Sequence, residues 1–356
     1  MGIAFLYYVL FLLFGCAAMY CSFAPQAKKI EKNGKFTFFM QPIIYVFFLY
    51  ALGSVGAYYL TDNHDFIAGL NLGRIILPLG CAIFIYAASF VFGERASIVA
   101  VLMSVAACVF YQNVEPGFVP FGLNVYVFKF LAIVFFSVFC LCYNILNVLP
   151  HTIVIITSVM LMGVSLLSGV GGAPAYLALV SAILIGSLFG FLSVNFNRVK
   201  IEFDDISCCI LAFLVANLLI LDIPELSFSS CVVFTLVFWA ELAIAAYRRF
   251  FISKTGSLRE NSYLLSVAQK LTIGALMNNI FKIGLVAVFF GWFQLFSVNQ
   301  YSLILVTFFV VLWLNTSMGA NLLQTPKSLK QINSEFIADI KKNFNETISQ
   351  IKNKKD

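Results

Sequence analysis

Apolar residues run in long, unbroken stretches along this 356-residue chain, with short polar segments between them. Neither the period-two alternation of a half-buried strand nor the narrow apolar stripe of a surface helix dominates. A helix that crosses a bilayer needs ~20 mainly apolar residues. Eleven stretches reach or approach that length, at about 3–24, 38–60, 74–92, 96–112, 122–142, 152–169, 174–194, 206–221, 227–247, 272–296 and 300–318. The pattern predicts an all-α polytopic membrane protein of about eleven transmembrane helices. Residues 1–320 form the transmembrane bundle and 321–356 a polar tail. A spanning β-barrel would instead alternate within ~10-residue segments. No basic residue precedes the first stretch, which is long for a signal peptide, so it reads as a retained span.

The tail has its own period. Ile332, Phe336, Ile337, Ile340, Phe344, Ile348 and Ile351 recur at helical spacing with lysines between them. That predicts an amphipathic helix lying in an anionic leaflet. Pairing with another helix is the rival reading.

Composition agrees with the pattern. The chain is 62% hydrophobic with a mean hydropathy of +0.97. It is 11% charged, where a soluble domain carries roughly 25%. Those values exclude a soluble globular domain and a disordered chain. Nine cysteines lie almost all within apolar stretches and form no CxxC pair. They predict small buried hydrophobes rather than a zinc site or disulfide framework.

Charge then supplies an orientation. The net charge of +6 comes from 22 Lys and Arg against 16 Asp and Glu. In a membrane protein such a surplus points to topology before nucleic acid, because short basic loops stay in the cytoplasm. Lys28, Lys29, Lys32 and Lys35 fall in the first connection, Arg95 in the third, and Arg198 and Lys200 in the seventh. Arg248, Arg249, Lys254, Arg259 and Lys270 fall in the ninth, and the tail is lysine-rich. The opposite connections hold Asp62, Asp65, Glu115, Asp222 and Glu225, with Arg74 as their one base. The sorting predicts an outside N-terminus and a cytoplasmic C-terminus.

Ionisable residues inside spans are candidates for function. Lys129 lies a turn or two inside span five, where its stem can snorkel to the surface. Lys282 lies nearer the middle of span ten, and Glu241 near the basic end of span nine. The seventh connection, Asn195-Phe-Asn-Arg-Val-Lys200-Ile-Glu202-Phe-Asp204-Asp205, gathers three carboxylates and two bases at a membrane surface. Mg²⁺ is held by one or two carboxylates plus substrate phosphate oxygens. Bases beside them hold phosphate. A solvated charged loop is the plain alternative.

The order of motifs is similar to that of a known family. Asn144 and Asn147 follow span five, Lys200-Ile201 and Asp205 precede span eight, and Tyr247-Arg248-Arg249 end span nine. This arrangement resembles the polyprenyl-phosphate sugar-1-phosphate transferases, in particular the bacterial undecaprenyl-phosphate N-acetylglucosamine-1-phosphate transferases. The resemblance covers most of the chain in order and spacing and rests on few residues. It implies an eleven-span enzyme of the bacterial inner membrane. Such an enzyme moves a sugar-1-phosphate from a UDP-sugar to undecaprenyl phosphate on the cytoplasmic face, with Mg²⁺, in cell-envelope biosynthesis.

Residue by residue, the resemblance matches Asp205 and leaves Glu94 as the one carboxylate after span three, and it implies both as catalytic and metal-binding. Asp204 stands where the family has Gly, and its place at a cytoplasmic span end offers it as a further metal ligand. The resemblance implies substrate binding by Asn144, Asn147, Lys200, Glu241, Arg248 and Arg249, and Arg259 is a further base that would neutralise the pyrophosphate beside them. The departures weigh as much as the matches. Gly93-Glu94-Arg95 keeps one carboxylate where the family has an Asp pair. Pro150, His151 and Ile153 stand where Asp, Gly and Asp are expected, and Ser262, Tyr263, Leu264 and Leu265 replace a histidine-rich run. Phosphoryl transfer depends on positioning and on neutralisation of charge by metal and bases. The resemblance therefore implies a homologue that is catalytically inactive or strongly altered. Its partners would be a polyprenyl phosphate, a UDP-sugar, the bilayer, and a second copy or an active paralogue. An active divergent transferase using Asp205 and Glu94 for Mg²⁺ is the alternative, and an unrelated transporter a further one.

Overall fold

The computed structural model describes residues 2–33, 41–60, 73–111, 124–147, 150–170, 175–195, 203–253 and 256–262. Spans ten and eleven, Lys282 and the tail lie outside the described residues, as do Lys200 and Glu202. Among the described residues all regular structure is helical. The helices are α1 (Gly2–Asn33), α2 (Pro42–Leu60), α3 (Gly73–Phe92), α4 (Glu94–Tyr111), α5 (Val125–Cys142), α6 (Pro150–Val170), α7 (Ala175–Asn195), α8 (Asp205–Phe234) and α9 (Leu236–Tyr247).

Four of these are long and apolar enough to cross a membrane: Phe5–Gln26, Pro42–Leu60, Val125–Leu146 and Tyr176–Val194. Ile76–Phe92, Arg95–Tyr111, Thr152–Ser165 and Asp205–Leu221 are shorter apolar helices. Large apolar side chains such as Phe5, Phe48, Phe90 and Phe130 stand exposed around the bundle. In water so wide an apolar surface would aggregate. Against lipid it is the expected exterior, so the chain reads as a membrane protein.

α7 occupies the centre. Of the span Tyr176–Val194, 78% is buried, against 11% of Phe5–Gln26 in α1. Small residues set how closely these two helices approach. A Cβ on Gly15 would sit 2.5 Å from the Ile183 carbonyl oxygen, and one on Gly190 2.6 Å from that of Cys16. A Cβ on Gly186 would collide with the carbonyl of Leu12. Gly186 and Gly190 form a GxxxG pair, the pattern that lets membrane helices bring their backbones together.

Two boundaries differ from the sequence reading. α1 continues to Asn33, through Lys28, Lys29 and Lys32, which the hydropathy pattern places in a loop. Alanine, lysine and glutamate are good helix formers, so the helix continues after its apolar stretch ends. α3 and α4 are joined by Gly93 alone, at φ 79°. Its N–H donates to the Ser89 carbonyl at 3.0 Å, a left-handed glycine cap that only a residue without Cβ adopts freely.

α8 contains a reversal. Positions 219 and 231 of a straight helix would stand about 18 Å apart. Instead the Cys231 Sγ lies 3.6 Å from the Leu219 carbonyl oxygen. The backbone therefore doubles back between them, where the sequence has Asp222, Pro224 and Glu225. This is the polar connection expected between spans eight and nine. Thr235 then separates α8 from α9, its Oγ1 donating to the Cys231 carbonyl at 2.8 Å.

All nine cysteines are free, and Cys81, Cys108, Cys140, Cys208, Cys209 and Cys231 are buried, as small hydrophobes should be. The Lys129 Nζ sits 5.4 Å from the centroid of the Phe110 ring, so its charge rests against an aromatic face rather than simply extending to the surface.

Candidate functional site

One end of the bundle is polar. It is built from the start of α2, the last turns of α3, the end of α5, the start of α8 and the end of α9, together with the short loop 256–262. Hydrogen bonds and aromatic packing tie these segments together.

α5 ends in a single 3₁₀ turn, Tyr143–Leu146, before Asn147. Aromatic packing seats that turn on α9. Phe139 and Tyr143 lie with their ring centroids 4.9 Å and 5.9 Å from that of Phe238. The Tyr143 hydroxyl hydrogen-bonds the Thr157 hydroxyl at 2.7 Å. Asn147 is fully buried. Its Nδ2 donates to the Phe203 carbonyl at 2.6 Å, across 56 positions of sequence. That bond fixes the amide's orientation, because a flipped amide would set oxygen against oxygen. The Asn147 Oδ1 is left buried without a hydrogen-bond partner among the described residues. A buried acceptor of this kind calls for a donor such as water or a ligand hydroxyl or amide. Asn144 is half-buried, and its carbonyl accepts from the Asn147 N–H at 3.0 Å.

Asp204 and Asp205 open α8 and are exposed. Asp204 is the N-cap, its Oδ1 accepting from the Ser207 N–H at 2.8 Å. Its Oδ2 accepts from the Gln41 Nε2 at 3.4 Å. Gln41 in turn accepts from the Tyr86 hydroxyl at 2.7 Å. Asp205 lies in the first helical turn, where the helix dipole favours a carboxylate. Glu94 opens α4, and its side chain is outside the described residues. Among the described residues no three His, Cys, Asp or Glu side chains come together as a metal cluster. Asp204 caps α8 through one carboxylate oxygen and meets Gln41 with the other, whereas Asp205 is open to solvent.

The third group surrounds Ser262. Glu241 and Arg248 are buried in the end of α9 and its continuation. The Ser262 hydroxyl donates to the Glu241 Oε1, and the Arg248 Nη1 donates to the Ser262 carbonyl at 3.2 Å. Glu241 lies two turns before Arg248 on one face, so a single residue reaches both. The loop that carries Ser262 is held by a capping box. The Ser257 N–H donates to the Glu260 Oε2 at 3.0 Å, and the Glu260 N–H to the Ser257 Oγ at 3.2 Å. The Asn261 Nδ2 donates to the Ser257 carbonyl at 2.9 Å. Arg259 is half-buried on this loop, and Arg249 is exposed.

The end therefore gathers Asn144, Asn147, Asp204, Asp205, Glu241, Arg248 and Arg259 from three distant parts of the sequence. It turns Arg249 outward and leaves Lys200 outside the described residues. Gln41, Tyr86, Asn261 and the latch role of Ser262 are additions. The Ser-x-x-Glu spacing of Ser257 and Glu260 was the available signal for the loop. Gln41 directly before Pro42 was the signal for a polar start to α2. No model of a known protein family matches the chain, and no curated protein sequence matches it.

Proposed function

We propose that the chain is an eleven-span protein of a bacterial inner membrane, with an outside N-terminus and a cytoplasmic C-terminus. On this reading its polar end is a cytoplasmic site of the polyprenyl-phosphate sugar-1-phosphate transferase type, whose turnover is lost or strongly altered. The observation that carries it is the bond from Asn147 to the Phe203 carbonyl. That bond joins the Asn144–Asn147 motif to the segment ending in Asp205, two of the three motifs on which the resemblance rests. The third, around Arg248, reaches the same end through the 3₁₀ turn and α9.

Two further observations favour altered turnover. The buried Glu241 and Arg248 are bonded to the chain's own Ser262, in the stretch that replaces the family's histidines. Asp204, offered by sequence as a metal ligand, is engaged by the α8 cap and by Gln41. What remains is a buried acceptor at Asn147, which suits a sugar hydroxyl or amide N–H, and bases that suit the phosphates of a UDP-sugar or a polyprenyl phosphate. In the active alternative, Asp205 with Glu94 would hold Mg²⁺.

The test is a turnover assay on the full chain in proteoliposomes, with labelled UDP-N-acetylglucosamine, undecaprenyl phosphate and Mg²⁺. The expected result is no labelled lipid. Mg²⁺-dependent lipid product that disappears in Asp205→Asn would replace this reading with the active one.

A further inference from the structure

Helices α3 and α4 are joined by Gly93 alone and pack side by side in opposite directions. Each carries a cysteine at a similar depth. At the helical rise, Cys81 lies about 18 Å and Cys108 about 22 Å from Gly93 along its own helix. Across the helix contact the two thiols hydrogen-bond each other. Ser104 lies one turn before Cys108 on the same face of α4. Its buried hydroxyl meets the Cys81 sulfur and has no other partner among the described residues. A thiol and a hydroxyl, both able to donate, therefore converge on one sulfur.

That contact sets the pair apart from other buried thiols. Cys208 and Cys231 direct theirs at the carbonyls of Phe203 and Leu219, at 3.8 Å and 3.6 Å. Within the pair, Cys81 is the more accessible, 9% exposed against 2% for Cys108. Beside it Gly80 is exposed, and a Cβ there would meet nothing within 4 Å. A small molecule can approach over Gly80, whereas a bulky one cannot reach a sulfur so covered. Both helices are apolar along this stretch, which admits uncharged reagents and disfavours charged ones.

We propose that Cys81 and Cys108 form a modification site, a dithiol that a small hydroperoxide converts to a disulfide between α3 and α4. The Cys81 sulfur attacks the terminal peroxide oxygen and the O–O bond breaks. The Cys81 proton leaves with the departing alcohol or water, and Cys81 becomes a sulfenic acid. The Cys108 sulfur then attacks the Cys81 sulfur. The S–S bond forms as the S–O bond breaks, and the hydroxide leaves as water with the Cys108 proton. The two thiols lose two electrons, which the hydroperoxide gains. The proposal is independent of the transferase reading, since neither sulfur belongs to the polar end.

The full chain in proteoliposomes tests it. The protein is treated with cumene hydroperoxide or hydrogen peroxide, unfolded, alkylated, digested and read by mass spectrometry. The expected product is a linked Cys81–Cys108 peptide that dithiothreitol separates, and this measurement needs no substitution. The ratio of the two rates assigns the oxidant to the lipid or to the aqueous phase. In Cys108→Ser, Cys81 should persist as a sulfenic acid and take up dimedone. In Cys81→Ser, Cys108 should stay reduced, and Cys231→Ser should leave the link unchanged. Both thiols fully alkylated after treatment would overturn the proposal. So would either cysteine linked instead to a different cysteine or to a second chain.

Discussion

Asp204 illustrates how a single carboxylate can carry two readings. Its place in a charged loop suggests a metal ligand, yet its oxygens accept from the Ser207 N–H and from Gln41. An N-cap removed by Asp→Ala costs about 0.5–2 kcal/mol. Asp204→Ala should therefore lower the unfolding midpoint of the purified protein whether or not Mg²⁺ is present. A midpoint that shifts only when Mg²⁺ is supplied would restore the metal role. Ser262 offers a second test. Ser262→Ala removes the hydroxyl that donates to buried Glu241, and losing a hydrogen bond of that kind costs about 1–3 kcal/mol. The same variant should speed amide exchange over 257–262, read by mass spectrometry. Unchanged exchange would mean that the capping box alone holds the loop. Neither role was readable from residue type. Both depend on which backbone groups the fold brings near, and sequence shows only that polar side chains are present.

For whole elements, the sequence was far more informative. Hydropathy located α2 through α7 to within a few residues, because an apolar stretch long enough to span leaves little choice of structure. It failed where the deciding force was local. α1 runs past its apolar stretch because helix propensity continues, and Gly93 reduces a connection to one residue. The contact between α1 and α7 gives the clearest prediction. Gly186→Leu drives a side chain into the Leu12 carbonyl, and overpacking of a close contact costs typically about 1–3 kcal/mol or more. That variant should lose thermal stability in detergent, measured by fluorescence-detected size exclusion. Gly80 supplies the control, since a Cβ there meets nothing within 4 Å. Gly80→Ala should be neutral or stabilising by up to about 1 kcal/mol. Equal losses in both variants would show that the α1–α7 approach is not what the glycines protect. The bond from the Asn217 Nδ2 to the Tyr50 hydroxyl at 3.0 Å ties α8 to α2 in the same core. Such bonds within membranes average about 0.6 kcal/mol, so Asn217→Leu should be milder than Gly186→Leu in the same assay.

On the scale of the whole molecule, charge and pattern together foresaw that the motif segments belong to one end. They foresaw it because successive helices alternate in direction, and any loop two spans onward returns to the same side. What they could not foresee is how the polar groups there are used. Glu241 and Arg248 are both charged residues near a membrane surface, and sequence offers them to a phosphate. The fold buries both and bonds them to Ser262. Asn147, by contrast, keeps an acceptor open. On the proposed function, this end binds its ligand and turns it over poorly. The proposed function is most directly tested by retention of labelled UDP-N-acetylglucosamine on the purified full chain, compared with Asn147→Leu, which offers no acceptor to a sugar hydroxyl or amide N–H. It predicts saturable retention that the substitution weakens, with no sugar-bearing lipid when undecaprenyl phosphate and Mg²⁺ are added. Retention no greater than that of labelled UMP, or unaffected by Asn147→Leu, would contradict it.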